Sequence, residues 1–209
     1  MSRVPSRKTK LSRKMGSGEG SNYLPYITTS EFNSQGTTSV INDWKTGRQV
    51  HCLSQAEAYW YYVLRWDDNN VDIREQFPLD RNKTEKIAAD FGFKHPGSSS
   101  DYVMTTDFLV TRPHNKYIAY SVKVNDKNLS TRALQILCIE KQYWLNERCN
   151  FNILFKDDIN LTLVHNIRAV VPFYDNTSVF DEYSNIKHLI ATKEIPWDME
   201  HIRNINRKI

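Results

Sequence analysis

The chain has 209 residues, 40% hydrophobic and 25% charged, with seven glycines, seven prolines and three cysteines. That composition excludes collagen, wholesale low complexity and a disulfide-stapled miniprotein, and it can bury a core unaided. Lys and Arg number 28 against 24 Asp and Glu, for a net charge of +4, but six of the basic residues fall in the first fourteen positions, where there is no acid. The basicity therefore belongs to the N-terminus rather than to the body. No apolar run approaches the ~18 residues of a spanning helix, and no hydrophobic stretch follows the basic start, so neither a membrane span nor a secretory leader is expected.

In chain order, Arg3, Arg7, Lys8, Lys10, Arg13 and Lys14 lie in a polar segment with too little apolar surface to offset the entropy of ordering. Residues 1–22 are expected to form a disordered basic arm and a hinge, the arm contacting nucleic-acid phosphates. The hinge, MGSGEGSN, lacks the preceding strand and the Lys-Ser/Thr of a phosphate-binding loop. Tyr23 to Val40 has no assignable pattern. Asp43-Trp-Lys-Thr-Gly-Arg48 has turn chemistry and should join a hairpin between Val40-Ile41 and Gln49-Val50-His51. Ser54 opens a strong helix, SQAEAYWYYVLRWDD, in which Ser54 and Glu57 fit a capping box and positions 59, 60, 63 and 64 form the apolar face. Val71 to Leu79 alternates as a strand ending near Pro78, and Thr84 to Asp90 is a short helix. Met104 to Val110 and Tyr117 to Val124 read as an antiparallel pair around the turn Arg112-Pro-His-Asn-Lys116. Ser130 to Arg148 is a long amphipathic helix. Asn152 to Phe155 is a buried strand, and helical pieces follow around Leu163–Val170 and Ser184–Lys193 before a basic end with Arg203, Arg207 and Lys208. This order predicts an α/β domain, a mixed sheet flanked by helices.

The hairpin carries the chemistry. Thirteen residues separate Asp107 from Ser121, so a tight turn brings the two strand ends together. Ser121 and Lys123, two apart, share a sheet face. A carboxylate beside a lysine suits a metal-dependent nuclease, with the carboxylate holding a hard divalent cation and the lysine orienting water or stabilising phosphate charge. Glu57, on the preceding helix, is the natural second carboxylate. The same residues also read as a cross-strand ion pair and as a helix cap, and spacing alone does not choose. Glu75 and Glu140 are two further acids, left outside the catalytic set as ion-pair residues. Cys52, Cys138 and Cys149 read as small buried hydrophobes suited to a reducing cytoplasm.

The blocks LSQAEAYWYYVLRWDDNNVDIREQFPL, FGFKHP, MTTDFLV, YSVKV and EKQYW, with SNYLPYITTSE and DWKTGR before them, resemble the TnsA family, endonuclease subunits of heteromeric Tn7-like bacterial transposases. The similarity spans roughly residues 13–165. It implies a restriction-endonuclease-like, PD-(D/E)xK fold over residues 23–165, followed by a short helical C-terminal segment, 166–209, as a candidate for partner docking. It also implies a nuclease that cuts the 5′ strands at transposon ends in cut-and-paste transposition, with Glu57, Asp107 and Lys123 catalytic. Two Mg²⁺ ions would be held by Glu57, Asp107 and the Val122 carbonyl. Implied partners are transposon-end duplex DNA, an integrase-like TnsB-type transposase and a TnsC-type AAA+ regulator, in the bacterial cytoplasm at the nucleoid. Where the family has Gln, this chain has Ser121. A non-catalytic bridging module and a stand-alone restriction-like nuclease are the alternatives. DNA-backbone contacts are expected from the arm and from Lys45 and Arg48.

Overall fold

Ser54 sets the start of the central helix. Its backbone is extended, its Oγ accepts from the Glu57 amide, and helix α2 runs from Gln55 to Trp66. The computed structural model describes residues 4–31, 37–97, 101–125, 129–175 and 181–201. Before α2 come a short helix α1 (Arg7–Ser12) and the hairpin β1 (Ser39–Asn42) and β2 (Gln49–Cys52). After it come β3 (Asp72–Pro78), α3 (Arg81–Asp90), β4 (Thr105–Arg112), β5 (Lys116–Lys123), α4 (Thr131–Asn146), β6 (Asn150–Phe155), α5 (Leu161–Val170) and α6 (Glu182–Ala191). The expected elements are present. The short helix starts three residues earlier than its apolar pattern, because Asp80 caps it by accepting from the Lys83 amide.

The main sheet has the order β3-β4-β5-β6, with β3, β4 and β5 antiparallel and β6 parallel to β5. A parallel neighbour needs a crossover, and α4 supplies it. Alternation along the strands sends Phe108 and Val110 to one face, against Tyr61 of α2 and the β1–β2 hairpin. Leu109 and Ala119 go to the other face, against Ile139, Tyr143 and Trp144 of α4 and Ile87 of α3. A third apolar cluster joins α5 and α6 to Trp44, Tyr62 and Trp66, so the C-terminal helices cover the outer side of α2. Helix α2 is thus packed on both sides. Of the four positions expected to form its buried face only Leu64 is fully buried, and Tyr61 and Ala58 join it. A one-sided periodicity underestimates a helix that is covered twice.

The N-terminal segment departs from the disordered reading over its described part. Ser6 caps α1, and Lys10, 5% exposed, donates to the Tyr26 carbonyl at 2.7 Å and pairs with Glu31 at 2.5 Å. The glycine-rich stretch forms a tight loop bridged at Ser17 and Leu24. Gly18 has φ +93°, and a Cβ there would lie 2.3 Å from the Asn22 carbonyl oxygen. What orders the segment lies beyond its own composition: Tyr23 and Tyr26 are buried in the body, and the Tyr23 hydroxyl donates to the Glu75 carbonyl. The boundary expected at residue 165 falls inside α5. Arg203, Arg207 and Lys208 lie outside the described residues. The three cysteines are free thiols, with Cys52 and Cys149 buried and Cys138 exposed. No helix among the described residues is long and apolar enough to cross a membrane.

Candidate active site

The sheet splits at one place. The β4–β5 ladder has Phe108 opposite Tyr120 and goes no further, while β3–β4 pairing continues to Pro78 and Thr105 and β5–β6 pairing to Lys123 and Phe155. Asp107 and Ser121, the next rung, stand at the fork. There the Asp107 carboxylate replaces the missing backbone acceptor, its Oδ2 taking the Val122 amide at 2.6 Å. Ser121 Oγ lies 3.5 Å and Lys123 Nζ 3.7 Å from the same oxygen. The lysine ammonium donates to Ser121 Oγ at 2.7 Å and to the Val122 carbonyl at 2.9 Å. The hairpin therefore brings together the Asp107 carboxylate, the Ser121 hydroxyl and the Lys123 amine, the three groups its spacing juxtaposes, with the Val122 carbonyl beside them.

Glu57 approaches from α2. It is 8% exposed, and its carboxylate accepts from the Leu53 amide at 2.9 Å, Ser54 Oγ at 2.9 Å and Gln76 Nε2 at 3.2 Å. Its capping role is real, and it leaves the carboxylate fixed in a buried position. Burial, and then the nearby Asp107 charge, push its pKa up to about 7. Glu140 closes the site from α4. It is 3% exposed, accepts from Thr106 Oγ1 at 2.8 Å, and is likewise pushed up to about 7 by burial and by Asp107, with Lys123 opposing. Thr106 is oriented in turn by the Trp144 indole at 2.7 Å. Glu140 thus belongs with the site electrostatically, although the sequence reading set it aside.

Three carboxylates face one lysine. No group of three or more His, Cys, Asp and Glu among the described residues stands close enough to hold a metal ion by itself. A metal bound here would draw on the Val122 carbonyl as well as on carboxylates. Glu57, Asp107 and the Val122 carbonyl are all hard oxygen donors, which is the chemistry magnesium takes. The Lys123 ammonium is seated on the Val122 carbonyl and the Ser121 hydroxyl, so one oxygen of this set already holds a cationic group. The residues fit such an ion.

Glu75 and Arg48 do not join the site. Glu75 is fully buried and forms a two-point ion pair with Arg48, Oε1 to Nη1 at 2.8 Å and Oε2 to Nη2 at 2.7 Å, and it also accepts from the His51 amide. The Arg48 guanidinium is consumed inside the fold, its Nη2 also donating to the Ile73 carbonyl, so it is not a DNA-backbone contact. Lys45 is paired with Asp68 at 2.7 Å. Neither pairing is legible from local sequence, since the partners lie 27 and 23 residues away.

The residue that sequence reasoning missed is Gln76. It lies opposite Asp107, on a rung the β3–β4 ladder skips, and has φ +48°. For a residue with a Cβ that backbone costs roughly 1–3 kcal/mol. Its effect is to invert the alternation. Ile73 and Glu75 point to the α2 side, yet Phe77 packs on Trp144 of α4, 5.9 Å between ring centroids. On β4 the same rung inverts, with Phe108 facing α2 and Thr106 facing Glu140. A strict period of two would send Gln76 away from Glu57.

A family model described as TnsA-like endonuclease N terminal matches residues 67–156, a span that contains Asp107, Ser121, Lys123 and Glu140. The chain is 36% identical over 190 residues to the Transposon Tn7 transposition protein TnsA of Escherichia coli, an overlap covering 88% of this chain and 70% of that protein.

Proposed function

The chain belongs to the TnsA family, and from that premise we propose that it is the endonuclease subunit of a Tn7-like transposase, a magnesium-dependent endodeoxyribonuclease that cuts the 5′ strands at transposon ends. The observation that carries this reading is the fork. A carboxylate and a lysine face each other where β4 and β5 part, with a second buried carboxylate delivered by α2. Asp107, Glu57 and the Val122 carbonyl would hold the metal. When bound, magnesium supplies Lewis acidity that lowers the pKa of water and steadies a leaving oxygen.

The chain's own residues do the rest. Lys123 orients the attacking water and counters charge developing on the scissile phosphate. Water oxygen bonds to phosphorus and gives up a proton to solvent as the phosphorus–O3′ bond breaks, and the departing O3′ takes up a proton from solvent, leaving a 5′ phosphate and a 3′ hydroxyl. Glu140, through Thr106, fixes the wall of the site behind Lys123. The partners are the end DNA, an integrase-like transposase of the TnsB type that cuts and joins the 3′ strands, and an AAA+ regulator of the TnsC type.

The test is strand-specific cleavage of labelled transposon-end DNA with Mg²⁺, with the chain alone and with its partner transposase. Partner-dependent 5′-strand cutting is expected. Cutting without the partner would mark a stand-alone nuclease, and DNA binding with no cutting in any mixture a bridging module.

Sequence-independent affinity is assigned to the exposed side of the docked α1 segment, where Lys8, Arg13 and Lys14 face solvent. Each neutralised phosphate contributes about 0.9 to the slope of log affinity against log salt. Replacing the three by Gln should therefore flatten the slope measured on duplex DNA by about two to three units. An unchanged slope would remove the segment from the interface.

A further inference from the structure

Gln76 is a buried amide with both ends committed. Its Nε2 donates to Glu57 Oε2 at 3.2 Å, and its Oε1 accepts from Thr105 Oγ1 at 3.0 Å. The Glu57 carboxylate accepts the amide N–H, which leaves the Gln76 oxygen to accept from the Thr105 hydroxyl, and that second bond holds the amide in this orientation. The left-handed backbone is what brings this side chain to the α2 face, where strand alternation would have turned it away. The same residue's carbonyl accepts from the Tyr26 amide, so the N-terminal segment holds the inverted backbone from outside. The residue is 2% exposed. Water does not compete for these bonds.

We propose that Gln76 is a positioning residue for catalysis. Its amide, aimed by Thr105 and delivered by the inverted rung opposite Asp107, fixes the Glu57 carboxylate in the orientation that receives a divalent cation. The inference deepens the nuclease reading above and rests on it. Its physical basis is that a carboxylate ligand needs its unused lone pairs tied down. The Leu53 amide and Ser54 hydroxyl hold Glu57 at the start of its own helix, and among the described residues Gln76 alone holds it from the sheet, on the side of Asp107. The helix-borne and strand-borne carboxylates are thereby locked into one frame. Loss of hydrogen-bond partners behind a metal ligand typically costs about 10–100-fold in metal affinity or activity.

The experiment is Mn²⁺ binding to the full chain, followed by the electron paramagnetic resonance of the free ion, alongside strand cleavage and thermal melting. Four variants are compared with wild type. Gln76→Gly accepts the left-handed backbone without strain and keeps the fold. Gln76→Met preserves the bulk, excludes water and removes both hydrogen bonds. Thr105→Val frees the amide to turn over, and Glu57→Ala removes the carboxylate itself. The two Gln76 variants are expected to bind Mn²⁺ about 10–100-fold more weakly, and Thr105→Val to show a smaller loss in the same direction. A merely structural residue would lower the melting temperature and leave the Mn²⁺ dissociation constant where it was. Glu57→Ala binding weakly while both Gln76 variants bind as wild type would overturn this inference alone. Glu57→Ala binding as wild type would instead overturn the metal role of Glu57, and with it the reading underneath.

Discussion

Asp107→Asn is expected to abolish 5′-strand cleavage, by at least about a thousandfold, while leaving the chain folded. The size follows from what the substitution removes, since losing one preorganised charge-stabilising group already costs about 10²–10³ in rate and, in the proposed mechanism, Asp107 would also hold the metal. Folding is spared because the amide oxygen of Asn still accepts from the Val122 N–H, the bond that closes the fork. Asp107→Ala would leave that amide unpaired and would confuse damage to the sheet with loss of chemistry. Circular dichroism and melting should therefore match wild type in Asp107→Asn, with only cleavage lost. Retained cleavage in the assembled complex would remove Asp107 from the metal site.

Glu140→Gln should make the protein more stable at alkaline pH. The Glu140 carboxyl, ordinarily near 4.5, is pushed up to about 7 by burial and by Asp107. Its folded form therefore holds a proton that the unfolded chain releases between those values. The stabilising contribution is complete below about pH 4.5 and is lost as pH rises through about 7, where the buried charge must be tolerated. At 1.36 kcal/mol per unit the cost at pH 8 is on the order of 3 kcal/mol. Gln stays neutral throughout and keeps an oxygen for the Thr106 hydroxyl. Melting at pH 8 should rise by several degrees, at roughly 2–4 °C per kcal/mol for a chain of this size, and the gain should vanish near pH 4. A difference independent of pH would show that Glu140 carries no such charge cost.

Much of this candidate site is legible in the sequence, and the reasons are local. The hairpin around Arg112–Lys116 fixes which residues meet across it, so Asp107, Ser121 and Lys123 follow from counting and from a period of two. The pattern Ser54-x-x-Glu57 gives the helix start, and Glu57 enters the candidate site as the carboxylate on the helix before the sheet and through the family resemblance. What escaped depends on contacts far apart in sequence or on backbone that breaks the period. Gln76 needs a left-handed φ in mid-strand, which no propensity signals for a glutamine. Glu140 needs the register of α4 against the sheet. A turn residue such as Arg48 reads as exposed, and it is the buried Glu75 of β3, in the other sheet, that pairs with it. The N-terminal segment was misread for the opposite reason: its own composition predicts disorder, and its anchors, Glu31 and Tyr26, lie outside it.

The crossover from β5 through α4 to β6 also sets when, during synthesis, a chain can become a nuclease. Ribosomes deliver the N-terminal part first, and Glu57, Asp107 and Lys123 are all made before residue 124. Until α4 and β6 emerge, β5 has only one neighbour, and that neighbour parts from it at Asp107. Glu140 and the parallel register that holds Val122 and Lys123 against Leu154 and Phe155 arrive last. A nascent or truncated chain ending before Phe155 would carry the proposed catalytic residues without the completed β5–β6 pairing beside them. On the proposed function, the order of translation would itself withhold cleavage from incomplete copies.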